Sequence, residues 1–241
     1  MQCGFIGKFM QTDKKITLAL DSTSTPLFMV LESGGKIFTA KKSGIKQEEL
    51  LYPALNKLFA KAGIKLKDIT HFFYIKGPGR FTGIRIGITL ASVLSEINGV
   101  KSCSADLFEV LKFQAEHSKK YQTWFKKNPR GVLGIVLHAF REEYFSLLCC
   151  GGEKPLWCSW QELESKLKNF DKPLFICGWD KDRLALNGKL PQNCTCAPAS
   201  LNKLNAASLL ALNETLQGKQ TMTEILEPLY LKPARFELCG K

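Results

Sequence analysis

A mixed α/β chain made of two similar lobes is what the sequence predicts, and three observations carry that reading. Short apolar runs of strand type alternate with longer segments whose apolar residues recur at helical spacing. The order strand–strand–strand–helix–strand–helix occurs twice. The length of 241 residues, with 45% apolar and 23% charged residues, suits one large globular domain or two small ones.

In the first half, Ile16–Leu20 is an apolar run ending in Asp21, followed by the polar turn Ser22-Thr23-Ser24-Thr25-Pro26. Leu27–Leu31 reads as a second strand, Ser33-Gly34-Gly35 as a turn and Lys36–Ala40 as a third strand. Gln47–Ala62 predicts a helix, with Leu50, Leu51, Ala54, Leu55, Leu58 and Phe59 on one face and Gly63 as its stop. His71–Ile75 is a buried-type strand broken by Gly77-Pro78-Gly79. Phe81–Ile97 predicts a second long helix, Val100–Cys103 a short strand and Ala105–Phe113 a short helix.

The second half repeats the order: strands at Val132–Leu137 and Tyr144–Cys150, a turn at Gly151-Gly152, a helix at Trp160–Phe170 and a strand at Pro173–Cys177 stopped by Gly178. Gln47-Glu48-Glu49-Leu50 loosely matches Trp160-Gln161-Glu162-Leu163. A meander extended by a parallel strand and covered by helices is one α/β lobe. Two in tandem predict the duplicated actin-like (ASKHA, RNase H-like) architecture, organised as an N-terminal tail 1–15, a first lobe 16–111, a connecting segment 112–130 and a second lobe 131–241.

Composition narrows the function classes. No apolar run approaches the roughly 18–20 residues of a membrane helix, so no membrane association is expected. The net charge of +12 is compatible with an acidic partner or nucleic acid, yet 28 of the 34 cations are Lys, whereas Arg is the usual bidentate phosphate reader. Nine cysteines, several inside apolar runs, suggest buried free thiols in a reducing compartment, here the cytoplasm. Cys194 and Cys196 lack a second ligand pair, so no zinc site is expected. The first fifteen residues lack signal-peptide character, and Met10 is a candidate native start.

Two segments invite functional readings. Leu111–Arg130 carries Lys119, Lys120, Lys126 and Lys127 interleaved with Tyr121, Trp124 and Phe125, a pattern that can track a nucleic-acid strand. An amphipathic helix that packs its aromatics and solvates its lysines explains it equally and is preferred. The segment Gly77-Pro78-Gly79-Arg80-Phe81-Thr82-Gly83-Ile84-Arg85-Ile86-Gly87 joins a buried strand to a helix but matches neither a dinucleotide fingerprint nor a Walker A loop. Within that helix Gly83, Gly87, Ala91 and Ser95 fall at steps of four, a smooth stripe that asks for a closely packed neighbour. Each internal glycine costs about 1 kcal/mol against Ala. That neighbour is either internal, such as the helix Gln47–Ala62, or another subunit; in the second case Gly83, Gly87 and Ala91, with Leu51, Leu55 and Leu58 of the preceding helix, are the expected partner interface.

The segment resembles the signature Gly-Pro-Gly-Ser-Phe-Thr-Gly-(Leu/Val/Ile)-Arg-Ile-Gly of the TsaB (YeaZ) family, the inactive glycoprotease-like relatives of TsaD. Gly77, Pro78, Gly79, Phe81, Thr82, Gly83, Arg85 and Gly87 carry the match. Leu18–Thr23 is similar to the family's opening strand, Gln47–Leu66 to its first long helix and following turn, Phe175–Trp179 to its Gly-Asp-Gly region and Glu227–Lys232 to its Pro-Val-Tyr-Leu-Arg ending. Arg80 replaces the usual Ser, His138-Ala139-Phe140-Arg141 stands for the usual Asp-Ala-Arg, and Gln47 occupies the place of a His-Ser pair.

An actin-like phosphotransferase needs carboxylates and a glycine turn for metal and phosphates. Asp21 is present, but Ser22–Thr25 has no glycine and His138 stands at the matching place in the second half. His71, His117 and His138 are never at the His-x-x-x-His spacing of a metalloenzyme helix. No catalytic residues, metal or cofactor are therefore expected. The resemblance implies a non-catalytic partner of a TsaD-like enzyme, acting with a TsaE-like ATPase to form threonylcarbamoyladenosine (t6A) beside the anticodon of tRNAs. It also implies weak or indirect tRNA contact and self-pairing of the same surface into a homodimer when alone. A stand-alone hydrolase or peptidase, and a tRNA-binding module, are the alternatives.

Overall fold

The computed structural model describes residues 15–44, 46–179, 186 and 188–232; Met10 and all of the tail except Lys15 lie outside the described residues. The first lobe begins with β1 (Ile16–Asp21), β2 (Leu27–Ser33) and β3 (Lys36–Lys42), an antiparallel meander. It continues with α1 (Gln47–Ala62), β4 (His71–Ile75), α2 (Phe81–Asn98), β5 (Lys101–Ala105) and α3 (Leu107–Glu116). A short helix, α4 (Lys119–Lys127), leads to β6 (Val132–Phe140), β7 (Glu143–Leu148), β8 (Leu156–Ser159), α5 (Trp160–Lys168), β9 (Leu174–Trp179) and β10 (Cys194–Cys196). The described chain closes with α6 (Ala206–Leu216) and α7 (Met222–Leu226).

The sheet orders are β3-β2-β1-β4-β5 and β10-β9-β6-β7-β8. Read from the opposite end, the second is the first repeated. Each has three antiparallel strands followed by two parallel ones. The duplication that residue similarity barely registers is thus complete at the level of strand order.

β1 is buried along its whole length because both its faces are covered. Leu18 and Leu20 pack with Met29, Leu31, Phe72 and Tyr74 under α1 and α2. Ala19 faces the other way, into a core shared by the two lobes: Phe28 and Phe73 from the first sheet, Leu107 and Phe108 from α3, Leu209 from α6, and Leu137, Phe145 and Trp179 from the second. Fully burying one such side chain stabilises by about 1.5–3 kcal/mol, so this shared core binds the lobes into one body. The outer face of the second sheet packs Leu163 and Leu167 of α5 against Val136, Tyr144 and Ile176.

Several boundaries differ from the sequence expectation. β9 does not stop at Gly178 but runs through it to Trp179. A side chain there would put its Cβ 1.7 Å from the Val136 carbonyl oxygen, and the residue's φ is 142°, so glycine marks a close strand approach rather than a strand end. β5 extends to Ala105, and α3 starts two residues later than expected, because Asp106 caps it. The Glu109 amide donates to Asp106 Oδ1 at 2.8 Å, and the Asp106 amide donates to Glu109 Oε2 at 2.7 Å. β7 ends at Leu148, short of the cysteine pair.

Gly178→Ala is expected to destabilise the protein by ~3 kcal/mol or more, through both backbone strain and the carbonyl clash. An unchanged denaturation midpoint would contradict the close approach. A pH effect is expected at Asp106, where burial, then the Glu109 carboxylate, pushes the carboxyl up to about 6. The folded value exceeds the unfolded one of about 3.9, so the group's contribution is complete in acid and is lost as pH rises from about 4 through 6. Asp106→Asn keeps a capping acceptor without titrating. In urea titrations it should gain on the wild type between pH 4 and 7 and level off above.

Candidate functional site

The glycine-rich segment is a packing joint between the β1 loop, the β4 exit and α2. The Gly77–Pro78 peptide is cis. The Arg80 amide donates to the Thr23 carbonyl at 2.8 Å, and Ser22 Oγ donates to the Gly83 carbonyl at 2.7 Å. A Cβ on Gly79 would lie 2.4 Å from the Thr23 carbonyl oxygen, and one on Gly83 only 1.8 Å from that of Ser22. Gly87 lies against Tyr74, where a Cβ would come within 2.5 Å of the ring. Ala91 is fully buried. The segment admits backbone and ring, and its Arg80 amide is spent on the Thr23 carbonyl.

This corrects the expected interface. Gly83, Gly87 and Ala91 do share one face, but it is turned onto β1 and β4 of their own lobe. Leu55 and Leu58 are buried as well, and of the α1 residues expected there only Leu51 reaches the surface groove. Spacing identifies residues that lie together on a helix; it does not give the direction they point when both sides of the helix are apolar.

The opposite side of α2 is open. Thr82, Arg85, Ile86, Thr89, Leu90 and Val93, with Phe81 and Leu51, line a shallow groove of about 490 Å³ between α2 and α1. Phe81 is 52% exposed, Val93 42%, Tyr52 on α1 70% and Ile97 at the end of α2 75%. The Arg85 guanidinium lies 4.0 Å from the Phe81 ring centre, a cation–π contact. The signature therefore divides: its glycines face inward, while Phe81, Thr82 and Arg85 face outward.

The cleft between the lobes, about 300 Å³, is lined by Thr23, Ser24, Arg80, His138, Trp179 and Lys232, among others. Asp21, at the end of β1 just before the lining residues Thr23 and Ser24, is buried and saturated: its Oδ1 accepts from the Thr23 amide at 2.9 Å and the Thr23 hydroxyl at 2.8 Å, and its Oδ2 accepts from Ser24 Oγ. Gln47, buried at the start of α1, donates to the Ser24 carbonyl at 2.6 Å and holds the same loop. His71 contacts Thr70, His117 stacks on Phe113 and His138 shares a hydrogen bond with the Arg141 carbonyl, so the three histidines occupy separate places. Burial, with Lys15 and Lys101 adding, lowers the His71 pKa. Among the described residues no three His, Cys, Asp or Glu side chains are grouped to hold a metal ion. The seven described cysteines are free thiols, and burial pushes Cys103 and Cys177 up to about 12, away from thiolate chemistry.

The basic segment packs on the second lobe. Tyr121 and Trp124 lie 5.4 and 5.3 Å from the Phe175 ring centre, and Trp124 Nε1 donates to Thr195 Oγ1 at 3.0 Å. Those two aromatics are structural, whereas Lys119, Lys120, Lys126 and Lys127 are exposed. Among the described residues no helix is long and apolar enough to cross a membrane.

Ala91→Leu tests the inward direction of the stripe. Overpacking against β4 should cost about 1–3 kcal/mol and lower the melting temperature, while any assembly through the outer groove survives at temperatures where the chain is folded. A variant that melts normally but no longer assembles would restore the outward reading.

Comparison with known proteins agrees with this geometry. The model of the family described as TsaD, tRNA N6-adenosine threonylcarbamoyltransferase, matches residues 41–110, the stretch that holds α1 and α2. The tRNA threonylcarbamoyladenosine biosynthesis protein TsaB of Buchnera aphidicola is 25% identical over 173 residues, 69% of this chain and 80% of that protein. Its namesake in Bacillus subtilis is 22% identical over 165 residues, 68% of this chain and 70% of that protein. YeaZ from Pseudomonas aeruginosa superimposes with a TM-score of 0.61 at 18% identity, over 90% of this chain and all of that one. A crystal structure described as an uncharacterized protein with similarity to peptidase YEAZ from Pseudomonas aeruginosa gives 0.64, with the same identity and coverage. The fold is the duplicated actin-like one. With the glycine joint in its place, the chain is similar along most of its length to proteins named TsaB and YeaZ.

Proposed function

We propose that this chain is the non-catalytic partner of a TsaD-like enzyme in forming t6A on tRNA. The observation that carries the proposal is the open apolar groove between α1 and α2, lined by Leu51, Phe81, Ile86, Leu90 and Val93. Large exposed apolar side chains gathered on one face mark an interaction site. The same stretch matches the TsaD family model, so a TsaD-like protein has an equivalent helix pair to offer. Two related helix pairs facing each other make a pseudo-symmetric contact, and two copies of this chain can make the symmetric version as a homodimer when alone. A TsaE-like ATPase joins the assembly through the relationship of the family, and the free thiols suit the cytoplasm.

The non-catalytic reading rests on the saturated Asp21 and the dispersed histidines. The internal hydrogen bonds of Asp21 and the separate places of the three histidines weigh against a stand-alone hydrolase or peptidase. Contact with tRNA is a secondary element, made by Lys119, Lys120, Lys126 and Lys127 through charge alone.

The decisive experiment is co-purification with the cell's TsaD-like protein, followed by t6A synthesis with and without this chain. Val93→Asp should leave the melting temperature unchanged and weaken the TsaD-like complex tenfold or more, about 1.4 kcal/mol, by placing a charge in the groove. Full affinity in that variant would move the docking face elsewhere. For tRNA, changing the four lysines to Gln should flatten the dependence of binding on salt, because each neutralised phosphate releases counterions. An identical slope would leave them as a solvated face.

A further inference from the structure

The last described residues, Ile225–Lys232, cross from one lobe to the other along a path fixed at several points. The Ile225 carbonyl accepts from Tyr74 Oη and, at 3.0 Å, from Ser104 Oγ. The Leu229 amide donates to the Lys76 carbonyl at 2.9 Å, and the Leu229 carbonyl occupies the space beside Gly77, where a Cβ would lie 2.5 Å from its oxygen. Leu229 and Leu231 pack on the shared core. Tyr230 then meets Phe81 of α2 with ring centres 5.2 Å apart. Two residues later Lys232 pairs with Glu143 of β7, its ammonium 5.1 Å from the Trp157 ring centre and 5.5 Å from that of Phe140.

One segment therefore touches the docking groove and the second lobe within three residues. Phe81 and Tyr230, although in contact, remain 52% and 45% exposed. Beyond them the hold on the second lobe rests on a partly exposed ion pair and its aromatic neighbours, an attachment that small changes in contact can bias.

We propose that the partner's seat extends from the α1–α2 groove over Phe81 onto Tyr230, and that docking there fixes the crossing segment Ile225–Lys232, a strap between the lobes, and, through Lys232 and Glu143, the Phe140–Glu143 hairpin of the second lobe. The proposal rests on the docking reading above and adds a second-lobe consequence to it. A partner resting on Tyr230 binds only the seated strap, so it favours that state by its differential contacts. The groove and the hairpin lie on different lobes, and the strap supplies a continuous covalent path between them.

Amide hydrogen exchange on the full chain, alone and with the purified TsaD-like protein, tests this. In the wild type, the partner should slow exchange at α2, at the Leu229 amide and at the hairpin. Tyr230→Ala should keep α2 protection, weaken the complex roughly five- to tenfold and abolish the partner's effect on Leu229 and the hairpin. Tyr230→Phe, which retains the ring contact, should behave as wild type. Glu143→Gln should keep Leu229 protection and lose that of the hairpin. Protection of α2 with the strap and hairpin unchanged overturns this proposal and leaves the docking reading intact. Protection absent from α2 overturns both.

Discussion

The first lobe depends on one contact: the backbone of Ser22 and Thr23, leaving β1, pressed against Gly79 and Gly83. The Ser22 carbonyl oxygen sits where a side chain on Gly83 would have to be. That closeness lets the β1 loop donate from Ser22 Oγ into the first turn of α2 and accept from the Arg80 amide. It also sets the loop that saturates Asp21, since Thr23 and Ser24 supply the donors. Helix position, loop conformation and the state of the Asp21 carboxylate thus follow from a pair of residues without side chains.

The same contact determines what α2 shows to solvent. Once Gly83, Gly87 and Ala91 are committed to the sheet, the residues half a turn away face outward. These are Thr82, Arg85, Ile86, Thr89 and Val93, and they include enough apolar surface to leave a groove. A glycine inside a helix weakens it, and here the loss is offset by direct seating on β1 and β4 rather than by a partner. The signature is consequently two motifs in one string, a joint and a face. In the proposed function, the joint holds the face at the angle a second helix pair requires.

The sequence made the fold more legible than the site, for a physical reason. Alternating elements are written in local periodicity, so α1 and β4 are found at the residues the pattern predicts. Boundaries fail where a long-range contact decides them. Gly178 looks like a strand stop until Val136 of the parallel neighbour is known to lie against it. The α2 stripe fails likewise: the helix carries apolar residues on both sides, and only the position of Ser22 and Tyr74 says which side is inside. Tyr121 and Trp124 resemble base-stacking residues in sequence, and Phe175, fifty residues downstream, makes them packing residues instead. The contact of Tyr230 with Phe81 left no trace in the sequence beyond the resemblance of the C-terminal ending, because it joins distant segments through two rings.

The two lobes repeat a topology but have diverged in what lies at corresponding places. The turn after β1 carries an acid whose oxygens are turned back into its own loop; the end of β6 carries His138, edge-on to Tyr144 with ring centres 5.5 Å apart. Arg80 and Lys232 add positive charge around the same cleft. A metal-assisted site between lobes depends on oxygen ligands facing one another across the gap, and these residues present mainly hydroxyls, cations and rings there. What persists is the mechanical part of the architecture: two sheets clamped on a common core by α3 and α6, with a strap that reaches both. Those packing constraints are made by apolar side chains and do not depend on the acidic groups of the cleft. In the proposed function the two-lobed body serves through its outer surface, and the groove on α2 and the saturated Asp21 then belong to one account.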